Sequence, residues 1–292
     1  MRAYKKSFFI VLLIVVLGIV VFLSLVMGAK STSLQTVIDA LMTSKEGFEF
    51  SVIRERVPRT LFGLLAGASL GLSGCLMQNI TRNPIADPSI LGVNTGAALF
   101  VVIGLAFFQI TSASQYILFG FLGAMVTALF VYGMAAYGTQ GPTPLKLALS
   151  GAATSIALRS LISTLTMPDT HVMDIFRYWQ TGSIGGASWN SLVALLPCFM
   201  TGILLAFALA GYLNTLSLGD EMATGLGTPV KMVRSLAALA GVLLCGATTA
   251  LAGPIGFVGL MVPHLMRLVF GNNMYILLPF SALGGSILLL AR

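Results

Sequence analysis

The chain has 292 residues, 57% hydrophobic and only 9% charged, with a formal net charge of +7 and a mean hydropathy of +0.96. A soluble domain carries roughly 25% charged residues, so this composition excludes a water-coated globular enzyme and points to an all-α integral membrane protein whose outer surface is solvated by membrane lipid. The basic excess does not point to nucleic acid, because the Lys and Arg residues are scattered between apolar segments and form no dense run interleaved with aromatics.

Nine apolar segments follow one another, at 7–27, 60–80, 90–108, 115–137, 146–166, 191–212, 232–252, 256–269 (a short one) and 274–291. They predict a polytopic helical bundle in a single domain, 1–292. The first follows Arg2, Lys5 and Lys6 and resembles a signal sequence. Its apolar run of about 20 residues is long enough to span a bilayer and exceeds a signal peptide's apolar region. It is therefore expected to be a transmembrane helix with its N-terminus in the cytoplasm. A polar interruption runs from Gly28 to Pro58. The second segment carries Gly67, Gly71 and Gly74, and small residues let membrane helices approach closely.

Between the second and third segments lies a polar crossing with two prolines, Gln78 to Pro88. Asn83 and Pro84 favour a turn, and Asp87 before Pro88 is placed to cap the next helix, with Pro at its first position. Arg159 lies inside the fifth segment, where a charge costs at least about 2.5–3.5 kcal/mol unless it reaches water or headgroups. The interruption from Met167 to Trp189 carries Asp169, His171, Asp174 and Arg177. The one from Asn214 to Lys231 holds Asp220 and Glu221. There Ser217 is placed to N-cap a short helix, with Asp220 three residues on in the first turn, where negative charge is favoured.

All nine acidic residues lie in interruptions. A proton- or sodium-driven carrier usually shows an intramembrane acid or histidine, and these segments hold no acid. No Gly-Lys pair exists for a phosphate-binding loop, so the chain is expected to be no enzyme and to need no cofactor. Cys75, Cys198 and Cys245 stand alone in apolar segments, as small buried hydrophobes do. With the N-terminus inside, the basic count is eight inside to six outside, a weak version of the usual bias. Half of the outer residues are the cluster Arg54, Arg56 and Arg59. Headgroup anchoring or an acidic partner on the outer face would each account for it.

Read together, Arg56-Val57-Pro58-Arg59-Thr60, the glycine-bearing helix, Arg82-Asn83-Pro84-Ile85-Ala86-Asp87-Pro88, Trp179-Gln180-Thr181-Gly182-Ser183, Ser217-Leu218-Gly219-Asp220-Glu221-Met222-Ala223, and Gly253-Pro254 through Pro263-His264 with Arg267 resemble the FecCD-type permease subunits of iron-siderophore, haem and cobalamin ATP-binding-cassette (ABC) importers. The match is collinear over roughly residues 50 to 290. The resemblance implies the type II importer permease architecture of about ten helices, so the family's final helix is expected to be missing from a chain that stops at Arg292. It implies a second permease subunit, identical or paralogous, two cytoplasmic ABC ATPases, an extracytoplasmic substrate-binding protein, and residence in the cytoplasmic (inner) membrane.

Residue by residue, the resemblance implies binding-protein docking at Arg56 and Arg59, and ATPase coupling at Ser217, Leu218, Gly219, Asp220, Glu221 and Ala223. It adds a cytoplasmic loop motif of Arg82, Asn83, Pro84, Asp87 and Pro88, and a C-terminal motif of Pro263, His264 and Arg267. No metal site is implied. The function expected is uptake of an iron-siderophore or related metal chelate; the alternative is a secondary carrier or channel for a small solute.

Overall fold

The computed structural model describes residues 2–27, 47–137 and 142–291. Among them the chain is all-helical and holds no strand. Twelve α-helices run in order: α1 (Arg2–Val26), α2 (Phe48–Ile80), α3 (Val93–Phe108), α4 (Ala113–Ala136), α5 (Pro144–Thr166), α6 (Thr170–Gln180), α7 (Trp189–Ala208), α8 (Ala210–Leu216), α9 (Asp220–Gly225), α10 (Val230–Ala252), α11 (Val258–Phe270) and α12 (Met274–Leu290). Six of these, α1, α2, α4, α5, α7 and α10, are long and apolar enough to cross a bilayer, and α3, α11 and α12 are shorter apolar helices. These nine are the nine apolar segments of the sequence.

Helix starts follow local polar chemistry. Ser112 and Gln115 form a reciprocal capping box for α4, Thr143 caps α5 with Pro144 behind it, and Asp169, Ser188 and Asn273 accept backbone N–H bonds at the starts of α6, α7 and α12. Each satisfies one or two of the four N–H groups that a helix end leaves open. Two boundaries differ from expectation. α2 begins at Phe48, inside the expected polar interruption, because hydropathy marks the apolar part of a helix and not its whole length. The rest of that interruption, 28–46, lies outside the described residues. The helix expected over 191–212 breaks at Leu209 into α7 and α8.

α2 is the most enclosed apolar span and α10 the next; α1 lies at the periphery. The glycines explain how α2 is enclosed. A Cβ on Gly67, Gly71 or Gly74 would overlap the backbone carbonyls of Gly285 and Ser281 in α12 and Gly259 in α11. These three positions share one helix face, so α2 meets two neighbours backbone to backbone, as membrane helices with small-residue faces do. Pro263 contributes from the other side. It has no N–H to give the Gly259 carbonyl four residues back, and the Gln78 side-chain amide lies 3.5 Å from that oxygen and 3.0 Å from Leu260 O.

The bundle has two ends. Arg59 and Ile80 are separated along α2 by about 32 Å at 1.5 Å per residue, close to the roughly 30 Å hydrocarbon core of a bilayer. One end carries Arg59, the last turn of α1, α6 and the turn after α10. The other carries Arg82, α8, α9 and the starts of α5 and α10. Because Arg56 donates to Leu25 O and Val26 O at the close of α1, α1 runs antiparallel to α2, and its N-terminus lies at the Asp220 end. The contact of Phe9 with Phe270, 6.3 Å between ring centroids, agrees.

Candidate functional site: the Asp220 end of the bundle

Three segments distant in sequence converge on Asp220. Arg82 leaves the end of α2 with φ +50, a left-handed conformation uncommon outside glycine, asparagine and aspartate. Its guanidinium donates to the Asp220 carboxylate and, at 3.3 Å, to Leu216 O. From α10, Arg234 donates to both Asp220 oxygens, at 3.0 and 3.2 Å, and to Pro142 O at 3.0 Å. The Arg234 side chain is 6% exposed, whereas Arg82 and Asp220 are 38% and 46% exposed. One carboxylate therefore links the crossing loop after α2, the short helix α9, and α10, while Arg234 carries the link on to the segment before α5. Asn79, donating to Leu213 O at 3.2 Å, ties the end of α2 to α8 just beneath.

The helix α9 is short and starts abruptly. Gly219 at its N-cap has φ +116, a backbone conformation that L side chains rarely adopt. Asp220 and Glu221 occupy the first turn, as expected. Ser217 does not cap α9: its hydroxyl donates to Asn214 O at 2.6 Å, so it closes α8 instead. The turn between Ser217 and Asp220 points the Ser217 hydroxyl back along the helix it follows. Ala223 is the buried anchor of α9, and the Thr215 and Thr228 hydroxyls, 2.8 Å apart, close the loop at its base.

Facing away from the bundle, Leu218, Met222 and Leu226 are each about 60% exposed, beside exposed Glu221. Leu218 before α9, Met222 within it and Leu226 at its C-terminus together give this segment an exposed apolar surface. Ile85, 65% exposed, stands on the crossing loop that Arg82 attaches to α9. In that loop Asn83 and Pro84 are exposed; Asn83 Oδ1 accepts from Ile85 N at 3.1 Å, and Asp87 accepts from Ser89 N at 2.9 Å. Asp87 and Pro88 thus start a 3-10 turn, Pro88–Leu91, and α3 itself begins only after Gly92.

The remaining expected site residues separate. Pro263, His264 and Arg267 lie on α11, with Pro263 buried and the other two half-buried, and the missing N–H of Pro263 is what leaves the Gly259 carbonyl to Gln78. The two outward arginines divide. Arg56 is buried against the carbonyls that end α1, and Arg59 is exposed. Exposure at a helix end depends on which neighbour lies alongside, which charge alone does not reveal. Arg234 was absent from the expected site residues. Its signal is its place in the second turn of an apolar helix, one of a few positive charges there.

A profile of the FecCD transport family matches residues 13–292. The Fe(3+)-citrate import system permease protein of Bacillus subtilis is 43% identical over 97% of this chain and 83% of its own length. The ferric enterobactin transport system permease protein of Escherichia coli is 40% identical over 95% of this chain and 84% of its own. Among solved structures, an inward-facing metal-chelate type ABC transporter superposes with a TM-score of 0.82 at 29% identity, covering 96% of this chain and 86% of that one.

Proposed function

The chain belongs to the FecCD transport family, and from that premise we propose that it is the membrane-spanning permease domain of an ABC importer, carrying an iron chelate of the siderophore or ferric-citrate kind into the cell. The exposed helix α9 carries the coupling part of this reading. It and its flanks expose apolar side chains beside acidic Glu221 outside any span, yet its base is fixed to two transmembrane helices by Asp220. A soluble partner that grips Leu218, Met222 and Leu226 would move α2 and α10 with it. That partner is the cytoplasmic ATPase subunit: ATP is hydrolysed there, two copies serve two permease subunits, and this chain supplies no catalytic group. The Asp220 end, with the N-terminus, is then cytoplasmic.

The opposite end faces the binding protein that delivers solute. Arg59, exposed at the start of the lipid-buried part of α2, is the contact for its acidic residues, while Arg56 secures α1. Such rim charges mainly set encounter rate and register. Alternating access follows from groups of helices moving as units, with the glycine face of α2 as a packing seam.

Co-purification tests the coupling. Replacing Leu218, Met222 and Leu226 together by Ser should abolish recovery of the ATPase subunit with the tagged permease and leave the permease's own yield intact. Undiminished recovery would remove α9 as the contact.

A further inference from the structure

A cavity of about 710 Å³ opens beside α5 and is closed by α6, the start of α3 and the turn holding Pro254 and Gly256. From α5 it is lined by Ser155, Arg159, Ile162, Ser163 and Thr166, positions that recur at three and four residues and so form one face. Across from them stand Ser89, Asn94, Arg177 and Gln180. Two guanidiniums line this space and no carboxylate does.

Arg159 is about 22 Å along α5 from Pro144 and about 10 Å short of Thr166 at 1.5 Å per residue, so it sits well inside the span. Among the described residues no hydrogen bond or ion pair engages it. A lone charge at such depth costs several kcal/mol against lipid, and its position is explained if it faces the water of the cavity. Arg177 leans on Asp174 only loosely, at 4.0 Å, with both side chains more than two-thirds exposed, and such exposed pairs contribute little. Both arginines are therefore available to an incoming anion.

We infer that this cavity is an anion-receiving station on the solute path, where Arg159 from α5 and Arg177 from α6 take the carboxylate or phenolate oxygens of a net-negative metal chelate. The inference rests on the importer reading and narrows it from metal chelates in general to anionic ones. Guanidinium is suited to the role, since its planar fork matches paired oxygens. The size also fits, because sites for small molecules run at about 300–1,000 Å³. Serines and Gln180 give adaptable hydrogen bonds around that charge, and an arginine that binds through exposed geometry can release its anion as the helices move.

Two measurements on the full chain separate the cavity from the importer reading. In the first, Ser155 is replaced by Cys in a Cys198→Ala background; Cys75 and Cys245 are buried. Its modification by an anionic and by a cationic methanethiosulfonate is timed, each rate divided by that reagent's rate with free thiol. The anionic reagent should win by about tenfold, since clefts of one charge concentrate counter-ions by that factor or more, and Arg159→Gln should remove the preference while Arg159→Lys keeps it. Equal rates with Arg159 in place would overturn the inference.

In the second, ATP-dependent uptake of ferric citrate and of a charge-neutral ferric trihydroxamate is compared in proteoliposomes holding the whole importer. Arg159→Gln should lower the ratio of anionic to neutral uptake by about tenfold, and an unchanged ratio would refute the station. A reagent preference without any ATP-dependent uptake of either chelate by the unaltered protein would instead overturn the importer reading.

Discussion

Removing the Asp220 carboxylate should cost the protein far more through Arg234 than through Arg82. The two ion pairs share an acceptor but differ in burial. Arg82 and Asp220 are both partly exposed, and pairs of that kind are worth about 0.2–1 kcal/mol. Arg234 is nearly enclosed and has its Nε already without a partner. In Asp220→Ala the buried guanidinium keeps only Pro142 O among its bonds. Breaking a fully buried pair from one side costs about 3–5 kcal/mol; halving that for the exposure of Asp220 gives about 2 kcal/mol, roughly thirtyfold in a folding equilibrium.

A double-mutant cycle in mixed detergent micelles, followed by the fluorescence of Trp179 and Trp189, reads the difference. The coupling of Asp220 with Arg234 should be about 1.5–2 kcal/mol and that with Arg82 below about 1 kcal/mol. In an Arg234→Met background, Asp220→Ala should cost less than about 1 kcal/mol. Equal couplings, or the larger one on Arg82, would refute the assignment of Arg234 as the buried anchor.

Replacing Gly71 by Leu should prevent assembly of α2 against α12 and abolish the monodisperse peak in size-exclusion chromatography, whereas Gly133→Ala in α4, with open space around it, should leave the melting temperature unchanged or raise it, being worth up to about 1 kcal/mol in a helix. Gln78→Leu leaves the Gly259 carbonyl freed by Pro263 without its donor and should destabilise by about 1–3 kcal/mol in the same unfolding assay. Arg59→Glu should slow association with the binding protein and flatten its salt dependence in surface-plasmon-resonance kinetics, with dissociation little changed. Arg56→Gln should instead increase protease cutting near the end of α1, because that side chain bonds the carbonyls there.

Much of the fold was legible because lipid leaves a plain trace: apolar runs of spanning length, bounded by Pro, Gly or charge. The trace fails where a helix outruns the membrane. α2 continues through Arg54, Glu55 and Arg56, and α6 places Val172 and Phe176 inward while His171, Asp174 and Arg177 stay out, a pattern too polar to read as a span. At the site, Asp220 and Glu221 could be placed in a helix's first turn from local chemistry alone. Its anchoring by residues 138 and 14 positions away could not, because nothing in a single sequence marks tertiary pairing. For the same reason Ser217 reads as a cap for the helix after it and serves the one before, and Arg56 reads as outward like Arg59.

ATP-driven uptake decides whether this chain works as the permease of an ABC importer. The chain is reconstituted in liposomes with its cognate ATPase and supplied with its loaded binding protein, and accumulation of radioiron chelate is followed. Accumulation should require hydrolysable ATP and all three proteins, and should fail when Leu218, Met222 and Leu226 are replaced by Ser. Accumulation by this chain alone, driven by an ion gradient and indifferent to ATP, would contradict the importer reading.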